Sequence, residues 1–255
     1  MIALRTEKEI SFLRKANEIT AEVLVALAGM IEPGIRTKDL DVAAAKIIRK
    51  AGGIPAFLGY RDYPACTCIS VDEVIVHGIP NDRRLREGQI VSIDVGVKWK
   101  GYYGDAALTV PCGEIDELRR RLMETTDRAL AAGIAAAVPG NYVSDISRAV
   151  QQCCESQGFS VVRAFVGHGI GTRLHEEPQI PNYDVGSRGP MLRPGMVLAI
   201  EPMVNAGVYE VRVLDDGWTA VTADGKPSAH FEHSVVIREQ GAEILSLSPK
   251  RVWGM

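Results

Sequence analysis

The sequence predicts an α/β (α+β) fold made of a duplicated unit, helix-helix-antiparallel strands, with the two copies packed around a pseudo-twofold axis. The stretch "PGIRTKDL" at 33–40 returns as "PGNYVSDI" at 139–146, an offset of 106 residues. "LREGQIVSID" at 85–94 returns as "LRPGMVLAIE" at 192–201, an offset of 107. Chance recurrence of Pro-Gly and Leu-Arg-x-Gly turns does not explain why both recur at almost one separation. Each copy also has helical periodicity followed by period-two strand patterns. A single domain over residues 1–255 is expected, with repeats at approximately 7–112 and 113–248.

Thr6-x-x-Glu9 is a capping box, and Ile10, Leu13, Ala16, Thr20, Val23, Leu24 and Leu27 follow at helical spacing, so a long helix fills roughly residues 7 to 30. Pro33-Gly34 stops it. Thr37 is expected to cap a second helix carrying Leu40, Ala44, Ile47 and Ile48, which ends at Gly52-Gly53. Residues 54–89 are rich in Gly, Pro and aromatics around a short strand-like "VIVHGI" at 74–79. Val91, Ile93, Val95 and Val97 then alternate with Ser92, Asp94, Gly96 and Lys98, and a second strand runs through Ala107 to Val110. A tight reversal at Trp99-Lys100 would set Asp94 directly across from Asp105, two like charges side by side. A third helix at about 115–137, Pro139-Gly140 and a helix at about 144–157 repeat the opening order.

Of the 255 residues, 46% are hydrophobic and 24% charged, as in ordinary globular proteins, and a formal charge of −3 gives no global reason to bind nucleic acid or an anionic membrane. The basic runs Asp82-Arg83-Arg84-Leu85-Arg86 and Arg119-Arg120-Arg121 read as solvated faces. The polar start "MIALRTEKEI" does not resemble a signal peptide, and no apolar stretch approaches a membrane span. A cytoplasmic protein is expected. Cys66, Cys68, Cys112, Cys153 and Cys154 are an odd set without a C-x-x-C pair and are expected to be reduced.

The repeat maps Asp94 onto Glu201, each an acid where an apolar strand asks for a β-former. "HFEHSVVI" places Glu232 among Phe231, Val235 and Val236, as Asp105 sits in the first half, so four acids are expected to converge from four strands. Together they would carry a charge of about −4, and burying even one unpaired ion costs several kcal/mol, so they must be protonated or neutralised. Two divalent cations balance the sum. His168 in "FVGHGIG", with glycines that let the backbone bend, is the further ligand candidate. Oxygen-rich ligation with one imidazole disfavours a closed structural zinc site and suits Mn(II), Fe(II) or Co(II). Two ions so held polarise a carbonyl and supply a nucleophile for its hydrolysis.

The set Asp94, Asp105, His168, Glu201 and Glu232, in "SIDVGVKWKGYYGD", "VGHGIG", "LAIEPM" and "HFEHSVVI", resembles the methionine aminopeptidase family from about residue 5 to 248. "HGIP" at 77–80 and "HEEPQIPN" at 175–182 add to the match, and the short chain is similar to the type I bacterial form. The resemblance implies the duplicated pita-bread fold. It also implies removal of the amino-terminal methionine from nascent proteins and peptides with a small second residue, with two divalent ions (Co, Mn, Fe or Zn) as cofactors. In that scheme Asp94 chelates one ion, Asp105 and Glu232 bridge both, and His168 with Glu201 completes the other; Glu201 is also the general base. His175 contacts the carbonyl or its oxyanion, and His77 hydrogen-bonds the substrate amide. Tyr60, Tyr63, Cys68 and Trp218 form the methionine slot. Phe57 and Leu174 depart from the family, which often has cysteine and phenylalanine there.

The partners implied are nascent-chain amino termini at the ribosome, without nucleic acid or membrane, and nothing in the sequence demands association beyond a monomer. A rival of the same fold is an Xaa-Pro aminopeptidase or prolidase-like peptidase. It shares all five ligands, but such relatives usually carry an additional amino-terminal domain that this sequence is expected to lack. A metal-free binding module would have lost one or more ligands, and none is lost here. A purely structural metal site fits poorly with a glycine-flanked His168 beside the polar pair His77 and His175.

Overall fold

The capping box opens the first helix as the sequence predicts. In a computed structural model, which describes residues 2–247, the Thr6 hydroxyl accepts from the Glu9 amide at 3.4 Å, and the Glu9 carboxylate accepts from the Thr6 amide at 2.9 Å. This helix, α1, runs Glu7–Ala28, slightly shorter than expected. Met1 and residues 248–255, which include the end of the expected domain, lie outside the described residues. Helix α2 is Thr37–Lys50, but Thr37 does not cap it. Arg36, held extended by a bridge to Arg84, takes the N-cap position, so the helix begins at Thr37, one residue earlier than a Thr37 cap implies. The Thr37 hydroxyl instead donates to the Asn81 carbonyl at 3.1 Å and accepts from its amide at 2.8 Å.

Strands β1 (Ile54–Pro55), β2 (Thr67–Val71), β3 (Val74–Val76), β4 (Gln89–Trp99) and β5 (Tyr102–Cys112) complete the first half. The second half has helices α3 (Glu117–Ala136) and α4 (Val143–Glu155), close to expectation. Its strands are β6 (Ser160–Val161), β7 (Gly167–Gly169), β8 (Glu176–Ile180), β9 (Val197–Ile200), β10 (Met203–Asn205), β11 (Val211–Val213), β12 (Ala220–Thr222), β13 (Ser228–His230), β14 (Glu232–Arg238) and β15 (Gly241–Ile244). One nine-stranded antiparallel sheet follows the order β1-β4-β5-β14-β9-β7-β8, with β2 also on β4 and β15 on β14. Two three-stranded sheets flank it. This is the pita-bread arrangement, a curled antiparallel sheet with, among the described residues, four α-helices.

The two copies repeat each other's bonds. Gly34 donates to the Leu85 carbonyl and Gly140 to that of Leu192, at 2.8 and 3.1 Å, while Arg36↔Arg84 is matched by Tyr142↔Met191. Val91, Ile93, Val95 and Val97 turn into the large core with Leu24, Leu40 and Ile48, and Ile146, Val150 and Ile200 do the same in the second copy. Alternation along the strands puts Asp94 on the opposite face.

The hairpin turn lies one residue later than expected, which shifts the pairing by two residues. Its turn is Lys100-Gly101, both with positive φ, so Trp99 pairs with Tyr102 and Asp94 faces Ala107, not Asp105. Asp105 pairs with Gly96, which leaves the two acids diagonal neighbours on one face. A head-on carboxylate pair does occur, in the other half. The register of Ile200↔His233 continues without slip to Met203↔His230, so Glu201, just beyond β9, falls opposite Glu232 where the ladder is interrupted. Glu232 therefore corresponds to Ala107, and the counterpart of Asp105 is His230. A row Cys68, Asp94, Ala107, Glu232 crosses three strand junctions, with the small Ala107 between two acids.

His168 lies on a strand rather than in a bending loop, between β8 and β9, with a register shift after it. Its glycines serve close packing: a Cβ on Gly167 would overlap the Ala199 carbonyl, and one on Gly169 the Glu177 carbonyl. Gly104 admits α1 in the same way, since a Cβ there would stand 2.6 Å from the Asn17 amide nitrogen. Asn17, buried in α1, accepts from the Asp105 amide at 3.3 Å and so ties the helix to the acid-bearing strand. Gly167→Ala is expected to lower stability by about 1–3 kcal/mol, read as a reduced urea midpoint, because backbone rather than a flexible side chain must yield. An unchanged midpoint would mean that β7 is not packed as tightly as described.

Candidate active site

Asp94, Asp105, His168, Glu201 and Glu232 line one cavity of about 300 Å³. His77, His175, Tyr60, Tyr63, Cys68 and Trp218 line it too, as do Phe57 and Leu174. Every site residue expected from the sequence thus reaches the same space.

Ligand atoms of Asp105, His168 and Glu232 all lie within 4.8 Å of one another, a group able to hold a metal ion. The His168 tautomer follows from its neighbour. Nδ1 is 3.0 Å from the Gly169 carbonyl, which can only accept, so Nδ1 carries the proton and Nε2 presents its lone pair. That lone pair points among acids, with Glu201 Oε1 at 3.4 Å and Asp105 Oδ2 at 4.0 Å. Such an arrangement repels itself unless a cation, or a proton on an acid, intervenes. Asp94 Oδ1, Asp105 Oδ1 and Glu232 Oε1 are buried with no hydrogen-bond partner. Three orphan carboxylate oxygens beside an imidazole lone pair fit a borderline divalent ion.

Electrostatics without an ion point the same way. Burial pushes the carboxyls of Asp105, Glu201 and Glu232 well above the ordinary range, and repulsion from neighbouring acids adds to it. Burial raises Asp94 as well, partly offset by a hydrogen bond from Cys68. The Cys68 thiol, opposite Asp94 on β2, is itself pushed up by burial and by that carboxylate, so it stays a thiol. Burial drives all five histidines down: His77, His168 and His233 to about 4, His175 and His230 to about 3.

His175 sits at the mouth, its Nδ1 2.7 Å from the Tyr60 hydroxyl, which leaves Nε2 for a ligand. Its ring centroid is 4.3 Å from that of His168. His77 holds a positive φ of 60°, uncommon for a residue with a Cβ, and its ring meets Phe165 and Trp218 edge-on at 5.1 and 5.9 Å. Tyr63 is buried, donates between the Thr67 and Gly78 carbonyls at 3.1 Å each, and packs edge-on to Trp218 at 5.0 Å. Phe57 fills the space left by Gly96, where a Cβ would overlap its ring. Asn182, inside the motif at 175–182, donates to the Glu201 carbonyl at 3.0 Å and fixes that acid's backbone.

Sequence reasoning missed His230, Phe165 and Met203, all of which line the cavity. His230 was detectable, because it stands two residues before Glu232 and so shares its face. Phe165 and Met203 carry no local pattern that separates them from core residues.

Residues 11–239 match the model of metallopeptidase family M24. The chain is 50% identical over 246 residues to methionine aminopeptidase 1 of Bacillus subtilis, covering 96% of this chain and 99% of that one. It superposes on the methionine aminopeptidase structure from Thermotoga maritima with a TM-score of 0.95 and 46% identity, over 97% of this chain and 100% of that chain. Its likeness to the prolidase of Pyrococcus furiosus is lower, with a TM-score of 0.79, 25% identity and 66% of that chain covered.

The raised carboxyls and lowered histidines have opposite pH signatures. The folded, metal-free protein holds more protons on its acids than the unfolded chain, so stability falls as pH rises through that window. The histidines bind fewer protons when folded, so they add stability with rising pH until their ordinary value of 6.5 and nothing beyond. Asp94, which burial pushes up to about 7, still acts above that value. The Tm of chelator-treated protein should therefore fall from about pH 6.5 to 8, and saturating Mn(II) should raise it and remove the fall. A Tm that climbs with pH over this range in the chelated protein would contradict the assignment.

Proposed function

The chain belongs to metallopeptidase family M24, on the branch of the type I methionine aminopeptidases, and we infer that this cavity takes the amino-terminal residue of a peptide and cuts the bond that follows it. The activity is metal-dependent removal of amino-terminal methionine, and the protein is a metalloaminopeptidase. The observation that carries it is the group Asp105, His168 and Glu232, with ligand atoms within 4.8 Å, in a cavity also lined by Asp94, Glu201 and the aromatic rings of Phe57, Tyr63, Phe165 and Trp218.

In this reading Asp94, Asp105, His168, Glu201 and Glu232 together hold two divalent ions, drawn from Co, Mn, Fe or Zn. The three orphan oxygens support more than one ion, since Asp94 contributes one of them yet stands outside the group of three. Such ions, when bound, supply Lewis acidity toward an amide carbonyl and make water more acidic. Glu201 takes the proton of the attacking water and later delivers it to the leaving amine. His175, neutral and anchored on Tyr60, turns Nε2 toward the developing oxyanion. His77 hydrogen-bonds the substrate amide, its ring fixed between Phe165 and Trp218. Tyr60, Tyr63, Cys68 and Trp218, with Phe57 and Leu174, enclose an unbranched apolar side chain, and the second residue of the substrate is small.

Residues 1–255 act as one catalytic domain with halves at about 7–112 and 113–248; the continuous sheet and the matched bonds of the two copies support this. The substrates are nascent-chain amino termini met at the ribosome, and the enzyme works as a cytoplasmic monomer; five free thiols accord with a reducing compartment. No helix among the described residues is long and apolar enough to cross a membrane.

Glu201→Ala should lower kcat on a Met-Ala-Ser peptide by about 10²–10⁴-fold while the thermal transition persists. Turnover at the parent rate would remove Glu201 from this role. Stripping the protein with chelator and restoring Mn, Fe, Co or Zn one at a time should return cleavage of Met-peptides and not of Xaa-Pro peptides. Full activity at one ion per chain would reduce the centre to a single metal.

A further inference from the structure

Among the groups lining the cavity, two titratable side chains, Arg61 and His230, have no part in the chemistry above, and His230 is the buried one. His230 is 2% exposed, and its Nε2 is buried with no hydrogen-bond partner. The nearest acid is Glu201, whose Oε2 stands 3.9 Å from that nitrogen. Glu201 is thus flanked by two imidazoles, His168 on its Oε1 side at 3.4 Å and His230 on its Oε2 side. The register makes this placement more than proximity. His230 lies opposite Met203, two positions along from Glu201, just as Asp105 lies opposite Gly96, two positions along from Asp94. In each half, the acid that follows the apolar run has a polar side chain as its diagonal neighbour on one face.

We propose that His230 is a positioning residue for Glu201: its neutral imidazole, protonated on Nε2, donates to Glu201 Oε2. The distance is about 1 Å beyond hydrogen-bond reach, and bonds of this kind are often long in an enzyme without its ligands. The bond fixes the rotation of the carboxylate plane. Oε1 then stays turned toward His168, while Oε2, which has two lone pairs, keeps one for the proton of the attacking water. The backbone of His230 is independently anchored, its amide donating to the Thr109 hydroxyl at 3.0 Å and its carbonyl accepting from the same hydroxyl at 2.8 Å. A fixed backbone and an unpartnered ring nitrogen leave the side chain one polar task, and the Glu201 carboxylate is the acid nearest to it.

The proposal rests on the assignment of Glu201 as the base, and the test separates the two. His230→Leu removes the donor, and His230→Gln keeps an N–H at similar reach. In metal-restored enzyme, His230→Leu should lose about 10–100-fold in kcat with KM for Met-Ala-Ser within about twofold, and chelator-treated His230→Leu should bind Mn(II) about tenfold more weakly by calorimetry. His230→Gln should stay within about threefold of the parent in both. The nitrogen spectrum of histidine-labelled parent loaded with Zn(II) should show a proton on Nε2 of His230, a measurement that needs no folded variant. Parent-like kcat and affinity in His230→Leu, equal losses in both variants, or an unprotonated Nε2 would each overturn the proposal. Glu201→Gln, assayed alongside, should be inactive. If it is inactive while His230→Leu is normal, the base survives and the positioning residue does not; if it is active, both assignments fall.

Discussion

The structure depends on an electrostatic conflict: orphan oxygens of three acids and an imidazole lone pair crowd one buried volume, with a fourth acid beside them. Hydrophobic packing cannot explain such a placement, because each unpaired polar group opposes burial. Protonation relieves the conflict at a cost in proton uptake, and a multivalent cation relieves it by turning every repulsive contact into an attractive one. The surrounding architecture holds the groups in place while they wait for that charge. Helix α1 grips the Asp105 amide through Asn17, Asn182 holds the Glu201 backbone, and the glycines beside His168 let three strands close around it.

Duplication supplies the symmetry of the scaffold but not of the chemistry. Gly34 and Gly140, or the Arg36↔Arg84 and Tyr142↔Met191 bridges, are interchangeable parts of two similar hairpin supports. At the centre the copies diverge. The first strand pair has an acid at 105 and alanine at 107; the second has histidine at 230 and an acid at 232. Alanine leaves room across the middle of the row, and the direct Glu201-Glu232 opposition interrupts the ladder on the other side. The result is an open cavity with acids on one wall and aromatic rings on another, able to take a charged amino terminus and an apolar side chain together.

Much of this was legible in the sequence, for identifiable reasons. Asp94 and Glu201 stand out because acids interrupt apolar strands at repeat-related positions, and the helices are bounded by caps and Pro-Gly stops. The expected hairpin pairing is off by two residues, because a turn at Trp99-Lys100 lies one residue early, whereas Trp99 still pairs with Tyr102 and Gly101 completes the turn with a positive φ. Thr37 looked like a cap because sequence cannot show that Arg36 is already pinned to Arg84. The glycines flanking His168 suggested a bend, whereas their function is close approach, which depends on chain segments far away in sequence. Phe165 and Met203 were invisible for the same reason: long-range packing alone sets them apart from the core.

The most direct measurement is anomalous diffraction at the manganese edge from crystals of the protein grown with saturating Mn(II). The account predicts two peaks within bonding distance of Asp94, Asp105, His168, Glu201 and Glu232, with those side chains close to their present positions. A map without signal at this centre, or one in which the acids have turned away to other partners, would contradict the claim that the fold is organised around bound cations.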